Sequence, residues 1–238
     1  MRSVSRVLYA IKANPHPEIL RTIAAQGLAF ECVSRGEVER VLEAVPGIAR
    51  GCLLFTPNFA ARAEYEWAIE SGLCVTVDNL YVLRNWARLF RDTSIFVRID
   101  TGRGHGHHQK VRTAGVHSKF GVPLFELADL RQAAQQAGAR ITGLHAHTGS
   151  GNFAVGSWVE TAQILADAAT QFPGVDVLNI GGGLGVPDQP GQRALDLGDL
   201  DAVLGQFRGA HAGFELWLEP GRYLVANAGV LLARVTQL

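Results

Sequence analysis

Phe214-Glu215-Leu216-Trp217-Leu218-Glu219-Pro220-Gly221-Arg222 runs from an apolar segment straight into an acid, a proline, a glycine and an arginine. The first five residues read as a buried strand, and the last four as the loop beyond its C-terminal end. Upstream, the same arrangement recurs. Short apolar runs at 6–11, 28–33, 52–55, 73–77, 94–99, 140–145 and 175–180 precede this one, and each ends in polar residues or glycines. Amphipathic stretches with helical spacing lie between them, at 17–26, 37–44, 60–70, 81–90, 124–136, 157–171 and 200–211. Gly27, Gly72, Gly138 and Gly174 read as glycines closing four of those helices. Strands alternating with helices pair in parallel through right-handed crossovers.

Eight strands in this order predict an α/β protein with a (β/α)₈ barrel. The strand ends carry Lys12, Glu31 with Ser34, Thr56 with Asn58, Asp78 with Asn79, Arg98 with Asp100, His145 with His147, Gly181 to Gly183, and Glu219. A closed barrel gathers all of these on one face, where barrel enzymes keep their active sites, whereas an open sheet would spread them along an edge. The length of 238 residues is close to the roughly 250 of a typical barrel.

Composition narrows the function. Lys+Arg and Asp+Glu both number 22, and charged residues make up 18% of the chain against a usual ~25%. Such a balance offers no bulk attraction to nucleic acid or to an anionic membrane. The longest uncharged run, 141–159, is too rich in His, Gly, Ser and Thr to span a bilayer, and the apolar stretch after the weakly basic start is too short for a signal peptide. Cys32, Cys52 and Cys74 lack metal-ligand spacing and read as reduced, buried thiols. The expectation is a soluble cytoplasmic protein.

Two glycine-bearing loops, Gly181-Gly182-Gly183-Leu184-Gly185 and Glu219-Pro220-Gly221-Arg222, follow strands seven and eight. Barrels commonly bind phosphate there, through backbone N–H groups that glycine leaves accessible. Arg222 adds a charge-assisted fork. An acid beside an anion site is out of place for simple anion binding, so Glu219 is expected to face something cationic. Lys12 stands at the end of strand one, facing the same pocket. An amine at one end, a phosphate cradle at the other and an acid for a pyridinium nitrogen are what pyridoxal 5′-phosphate requires.

Four motifs then carry a family resemblance. Tyr9-Ala10-Ile11-Lys12-Ala13-Asn14, His147-Thr148-Gly149-Ser150-Gly151, the Gly181 to Gly183 triplet and the Glu219 to Arg222 segment resemble, in order, those of the barrel-fold pyridoxal-phosphate decarboxylases. The stretch from Phe30 to Glu37, and the stretch from Arg98 through the histidine loop to Ser118-Lys119-Phe120-Gly121, sharpen the match. Within that family the chain is similar to the diaminopimelate decarboxylase branch, and especially to the version fused behind an aspartate kinase.

The resemblance implies a barrel of the alanine racemase/ornithine decarboxylase type. It also implies a set of roles. Lys12 would hold pyridoxal phosphate as a Schiff base, and His147 would stack on its ring. Ser150, Gly181, Gly182, Gly183, Gly221 and Arg222 would bind its phosphate, with Arg222 also near a substrate carboxylate. Glu219 would meet the pyridine nitrogen, while Glu31 and Arg98 would lie just outside the ring. Lys119 and Glu37 would be charges at a subunit contact. The implied reaction is decarboxylation of meso-2,6-diaminopimelate to L-lysine, in a protein that is a homodimer at full length.

Family members carry a further β domain that completes the site. Residues 1–229 are therefore expected to be the barrel, and 230–238 the first strand of a C-terminal β domain that is otherwise missing. The chain reads as cut from something longer, inactive or very weak alone. Other readings stay open: a decarboxylase of ornithine, arginine or a polyamine precursor, a single-domain pyridoxal-phosphate carrier without turnover, or a Schiff-base aldolase without the cofactor. His105, His107 and His108 are read as a solvated or phosphate-adjacent loop, with no metal, since no acid or cysteine has ligand spacing.

Overall fold

The computed structural model describes residues 1–102, 119–147, 149–230 and 232–237. Nine strands are present among them: β1 (Arg6–Ala10), β2 (Ala29–Cys32), β3 (Leu53–Phe55), β4 (Cys74–Val77), β5 (Ser94–Asp100), β6 (Val122–Pro123), β7 (Arg140–His145), β8 (Val177–Asn179) and β9 (Glu215–Leu218). All pairings are parallel. They run β1–β2–β3–β4–β5–β7–β8–β9 and back to β1, so eight strands close a barrel, as the alternation predicted. The two-residue β6 is an addition the sequence did not announce, lying against the end of β5 at Ile99 and Asp100.

Outside the strands lie helices α1 (Pro17–Ala25), α2 (Arg35–Ala44), α3 (Arg62–Glu70), α4 (Leu80–Asn85), α5 (Leu127–Ala137), α6 (Gly156–Ala169), α7 (Leu197–Ala210) and the single turn α8 (Arg222–Val225). Most of the core lies between these helices and the outer faces of the strands, as with Leu20, Val38, Tyr65, Leu83, Leu130, Leu165 and Leu204.

Helix boundaries follow local chemistry. The start of α2 lies two residues earlier than the hydrophobic pattern suggested, because Ser34 caps it. The Ser34 hydroxyl accepts from Glu37 N, and Glu37 Oε2 reaches back to accept from Val33 N at 2.7 Å, one residue before the cap. Gly138 closes α5 in the left-handed conformation at φ 69°, and Gly27 and Gly72 play the same part just past α1 and α3. Gly174 does not. The last turn of α6 ends at Ala169, and Gly174 sits without positive φ in the turn before β8.

The inside of the barrel is a second, smaller apolar layer of Leu8, Ala29, Leu54, Phe96, Val177 and Trp217. Phe96 and Trp217 pack with ring centroids 5.2 Å apart. Gly143 on β7 makes room for them, since a Cβ there would lie 2.6 Å from the Phe96 ring. This layer plugs the barrel beneath the site. Beyond α8, the described residues of 230–237 join no strand, and Val230, Leu232 and Val235 are exposed.

Candidate active site

Side chains alternate along a strand, so the residue two positions beyond an inward-facing one also faces inward, one layer higher. Two positions above Ala29, Leu54, Phe96, Gly143, Val177 and Trp217 come Glu31, Thr56, Arg98, His145, Asn179 and Glu219. The apolar plug thus dictates a polar layer at the C-terminal face. Most of that layer lines a cavity of about 500 Å³, together with Lys12, His147, Ser150, Gly183, Gly221 and Arg222.

Lys12 leaves β1 in a single 3₁₀ turn, Ile11–Ala13, and its Nζ lies 2.6 Å from Glu31 Oε2. The Glu31 carboxylate is buried, and its other oxygen accepts from the Thr56 hydroxyl. Burial works to lower the Lys12 pKa, but Glu31, Glu219 and Glu37 together outweigh it and hold the amine above its ordinary value. Arg98 enters from β5, stacks 4.7 Å over the Phe120 ring and donates to Asn58 Oδ1 at 3.1 Å. Burial lowers its pKa, against the pull of Glu219, Asp78, Glu31 and Asp100.

Across the cavity, Glu219 is buried at the end of β9. Asn179 Nδ2 donates to its Oε1 at 2.7 Å, and His145 Nε2 lies 3.2 Å from its Oε2. Burial alone would raise the carboxyl pKa. The His145 ring, Lys12 and the Asn179 amide hold it well below the usual carboxylate range, so Glu219 is a fixed anion. His147 behaves oppositely. Burial, with Arg98 adding to it, lowers its pKa to about 3. The ring is neutral near pH 7, and its Nδ1 accepts from Gly182 N at 3.3 Å.

Glycine is required in the triplet. A Cβ on Gly182 would lie 2.1 Å from Glu219 O, and one on Gly183, whose φ is +83°, would lie 2.1 Å from Gly149 O. Gly181 adopts φ +71° and donates its N–H to Asn179 Oδ1 at 3.0 Å. The loop is tied down on its far side, where Trp158 Nε1 donates to Gly182 O at 3.0 Å. Asn152 N reaches Gly183 O and Gly185 N reaches Asn152 O, both at 2.8 Å, which zips the loop after β7 to the loop after β8. The result is a narrow shelf of backbone at the cavity edge, flanked by Ser150, Gly151, Gly221 and Arg222.

Residues 2–226 match the family described as "Pyridoxal-dependent decarboxylase, pyridoxal binding domain". The chain belongs to that family. Diaminopimelate decarboxylase of Methanothermobacter thermautotrophicus is 32% identical over 242 residues, covering 97% of this chain and 56% of the relative. Among solved structures, diaminopimelate decarboxylase from Helicobacter pylori complexed with L-lysine superposes with a TM-score of 0.83 at 26% identity, covering 94% of this chain and 58% of that one. Lysine decarboxylase from Selenomonas ruminantium gives 0.79 at 28% identity, covering 94% and 57%. The chain thus spans little more than half the length of these relatives.

As a pyridoxal-binding domain, this barrel contains the groups its cofactor needs. It has an amine in Lys12, a buried anion in Glu219 and a backbone shelf with an arginine beside it. The structure brings Lys12, Glu31, Arg98, His147, Ser150, Gly183, Glu219, Gly221 and Arg222 to one cavity, with Gly181 and Gly182 directly behind it. Glu31 is nearer than expected, in direct contact with Lys12. Lys119 stands over the Phe59 and Phe120 rings, 5.8 and 5.3 Å from their centroids. The histidine loop, Ser118 and Thr148 lie outside the described residues. Among the described residues no group of three or more His, Cys, Asp or Glu side chains could hold a metal, and no helix is long and apolar enough to cross a membrane.

Asn179 is the residue that sequence reasoning missed. It stood inside the apolar run at 175–180, one residue before its end. The available signal was its place two residues beyond Val177, just as Glu219 stands two beyond Trp217; in the barrel Asn179 itself pairs with Trp217. Trp158 is buried, and its indole N–H holds the glycine triplet. Cys32 is buried as expected, while Cys52 and Cys74 are only partly so.

Proposed function

We propose that this chain carries pyridoxal phosphate on Lys12 and is the cofactor half of a decarboxylase acting on meso-2,6-diaminopimelate, with L-lysine as product. The observation that supports this most directly is the pairing of a lysine amine with a buried, ionised Glu219 across one cavity edged by a glycine shelf. The 32% identity to a diaminopimelate decarboxylase favours that substrate.

Bound pyridoxal phosphate supplies an electron sink into which a bond to a carboxylate can break. The protein's share is positional and electrostatic. Lys12 Nζ is the attachment point, and Glu31 Oε2, 2.6 Å away, orients it. Glu219 keeps a positive charge at the pyridine nitrogen, since a fixed carboxylate stabilises a proton there. The neutral ring of His147 holds the cofactor ring without competing for that anion. Ser150, Gly181, Gly182, Gly183, Gly221 and Arg222 hold the phosphate, and Arg222 also meets a substrate carboxylate. Glu31 and Arg98 balance charge beside the ring. Residues 230–238 lead into the further β domain, and the longer protein is a homodimer.

Another basic amino acid is the second reading, favoured by the 0.79 TM-score to a lysine decarboxylase. Release of labelled CO₂ from meso-diaminopimelate, lysine, ornithine and arginine by the longer protein containing this chain decides between them. Diaminopimelate should be turned over at least a hundredfold faster than the others. Preference for any other substrate overturns the assignment. The present chain alone should release almost none, and brisk turnover by it would show that no further domain is needed.

A further inference from the structure

Resting on the cofactor reading above, we infer that His145 is a positioning residue, which orients Glu219 and fixes the protonation of the pyridine nitrogen. It sits at the end of β7, two residues before His147. It is 3% exposed and lines the cavity, and among the described residues its side chain hydrogen-bonds to Glu219 alone.

At 3.2 Å from Glu219 Oε2, His145 Nε2 is placed to donate its N–H to the carboxylate. Among the described residues, the buried His145 Nδ1 has no hydrogen-bond partner. Leaving such an atom unpaired is costly, and a plain structural role would be served as well by an apolar side chain of similar shape. What an apolar residue cannot supply is the N–H aimed at Oε2.

Both Glu219 oxygens are thereby held, Oε1 by the Asn179 amide and Oε2 by the His145 imidazole. Two donors from two different strands leave the carboxylate no freedom to rotate. Each oxygen keeps a further lone pair for a donor in the cavity. Asn179 is itself locked by Gly181 N, so the orientation of Glu219 is coupled to the glycine shelf. The carboxylate faces the cavity as a preorganised acceptor, whose orientation need not be bought when the cofactor enters.

The test compares His145→Phe, His145→Gln and His145→Asn in this chain, loaded with pyridoxal phosphate carrying an isotope label on its ring nitrogen. Glutamine places an amide N–H near the position of Nε2, whereas asparagine, one carbon shorter, does not reach it. The readouts are the magnetic resonance shift of the ring nitrogen, the cofactor dissociation constant and the melting of the cofactor-free chain. In the unsubstituted chain the ring nitrogen should be protonated. His145→Phe and His145→Asn should shift it toward the unprotonated value and weaken cofactor binding about tenfold, the loss of one hydrogen bond to a charged group. His145→Gln should restore both.

Equal behaviour of Gln and Asn, or an unchanged ring nitrogen in all three variants, overturns the positioning role while leaving the cofactor site standing. An unprotonated ring nitrogen in the unsubstituted chain overturns the role given to Glu219, and His145's with it. Failure of that chain to bind the cofactor overturns both readings.

Discussion

Asn179 and Glu219 end neighbouring strands, and the amide of one donates to the carboxylate of the other at 2.7 Å while accepting from the Gly181 backbone. One fully buried side chain therefore connects the anion of the site to its glycine shelf. Replacing it with leucine leaves Gly181 N–H without its acceptor and Glu219 without one of its two donors. Asn179→Leu should lower stability by about 3 kcal/mol, from two unsatisfied buried groups, and should weaken cofactor binding as well. Urea denaturation of the cofactor-free chain checks the first part, and a loss below 1 kcal/mol would show that the network is dispensable.

The glycine triplet permits a paired test. Gly182→Ala puts a methyl 2.1 Å from the Glu219 carbonyl oxygen, and neither backbone can retreat without breaking the barrel closure. A cost of about 3 kcal/mol and loss of cofactor binding are expected. Gly205 lies in the middle of α7, exposed, with open space around it. Gly205→Ala should raise stability by about 0.5–1 kcal/mol, because alanine has less backbone freedom to lose. If both substitutions had similar effects, packing at the shelf could not be the reason for its glycines.

Attachment at Lys12 can be trapped chemically. Borohydride reduction of the chain incubated with pyridoxal phosphate should fix the cofactor on the peptide that contains Lys12, read by mass spectrometry. Lys12→Met should abolish the adduct and also lower the melting temperature, since it leaves the buried Glu31 carboxylate without its cation. Adducts spread over several lysines would argue against a dedicated attachment point.

Acid should unfold the cofactor-free chain in two windows. The His147 ring takes up a proton near pH 6.5 in the unfolded chain, but only at about 3 when folded. Between these values the unfolded state binds more protons, so stability falls as pH falls, by up to about 1.4 kcal/mol per pH unit. Glu219 follows at lower pH. Its folded value is depressed, so its contribution is complete above the ordinary carboxylate range and disappears as pH drops through the folded value. Lys12 works on the alkaline side, its raised value favouring the fold until pH passes above it. Urea midpoints between pH 7 and pH 4 should decline in the parent chain and flatten in His147→Gln. An unchanged slope in that variant would assign the acid sensitivity elsewhere.

The barrel was legible because its signals are local. Apolar runs of strand length, helical spacing between them and polar residues at each strand end specify eight βα units without any knowledge of their contacts. The chemistry of Lys12, Glu219 and the two glycine loops was legible for the same reason, since unusual residue types stand at the positions where a barrel keeps its active site. The boundaries were less so. The early start of α2 depended on a hydrogen bond between the Ser34 side chain and Glu37 N, and Gly174 looked like Gly138 until its backbone conformation was known.

What the sequence determined by itself is the strand alternation, and with it which residues share the layer above the apolar plug. Periodicity is a property of each segment alone. What only the tertiary structure decided is who touches whom within that layer: Glu31 pairs with Lys12, Arg98 stacks on Phe120, and Asn179 with His145 grips Glu219. These contacts join residues 19 to 74 positions apart. They depend on the register at which each strand meets its neighbour, and that is set only when the whole barrel closes around Phe96 and Trp217.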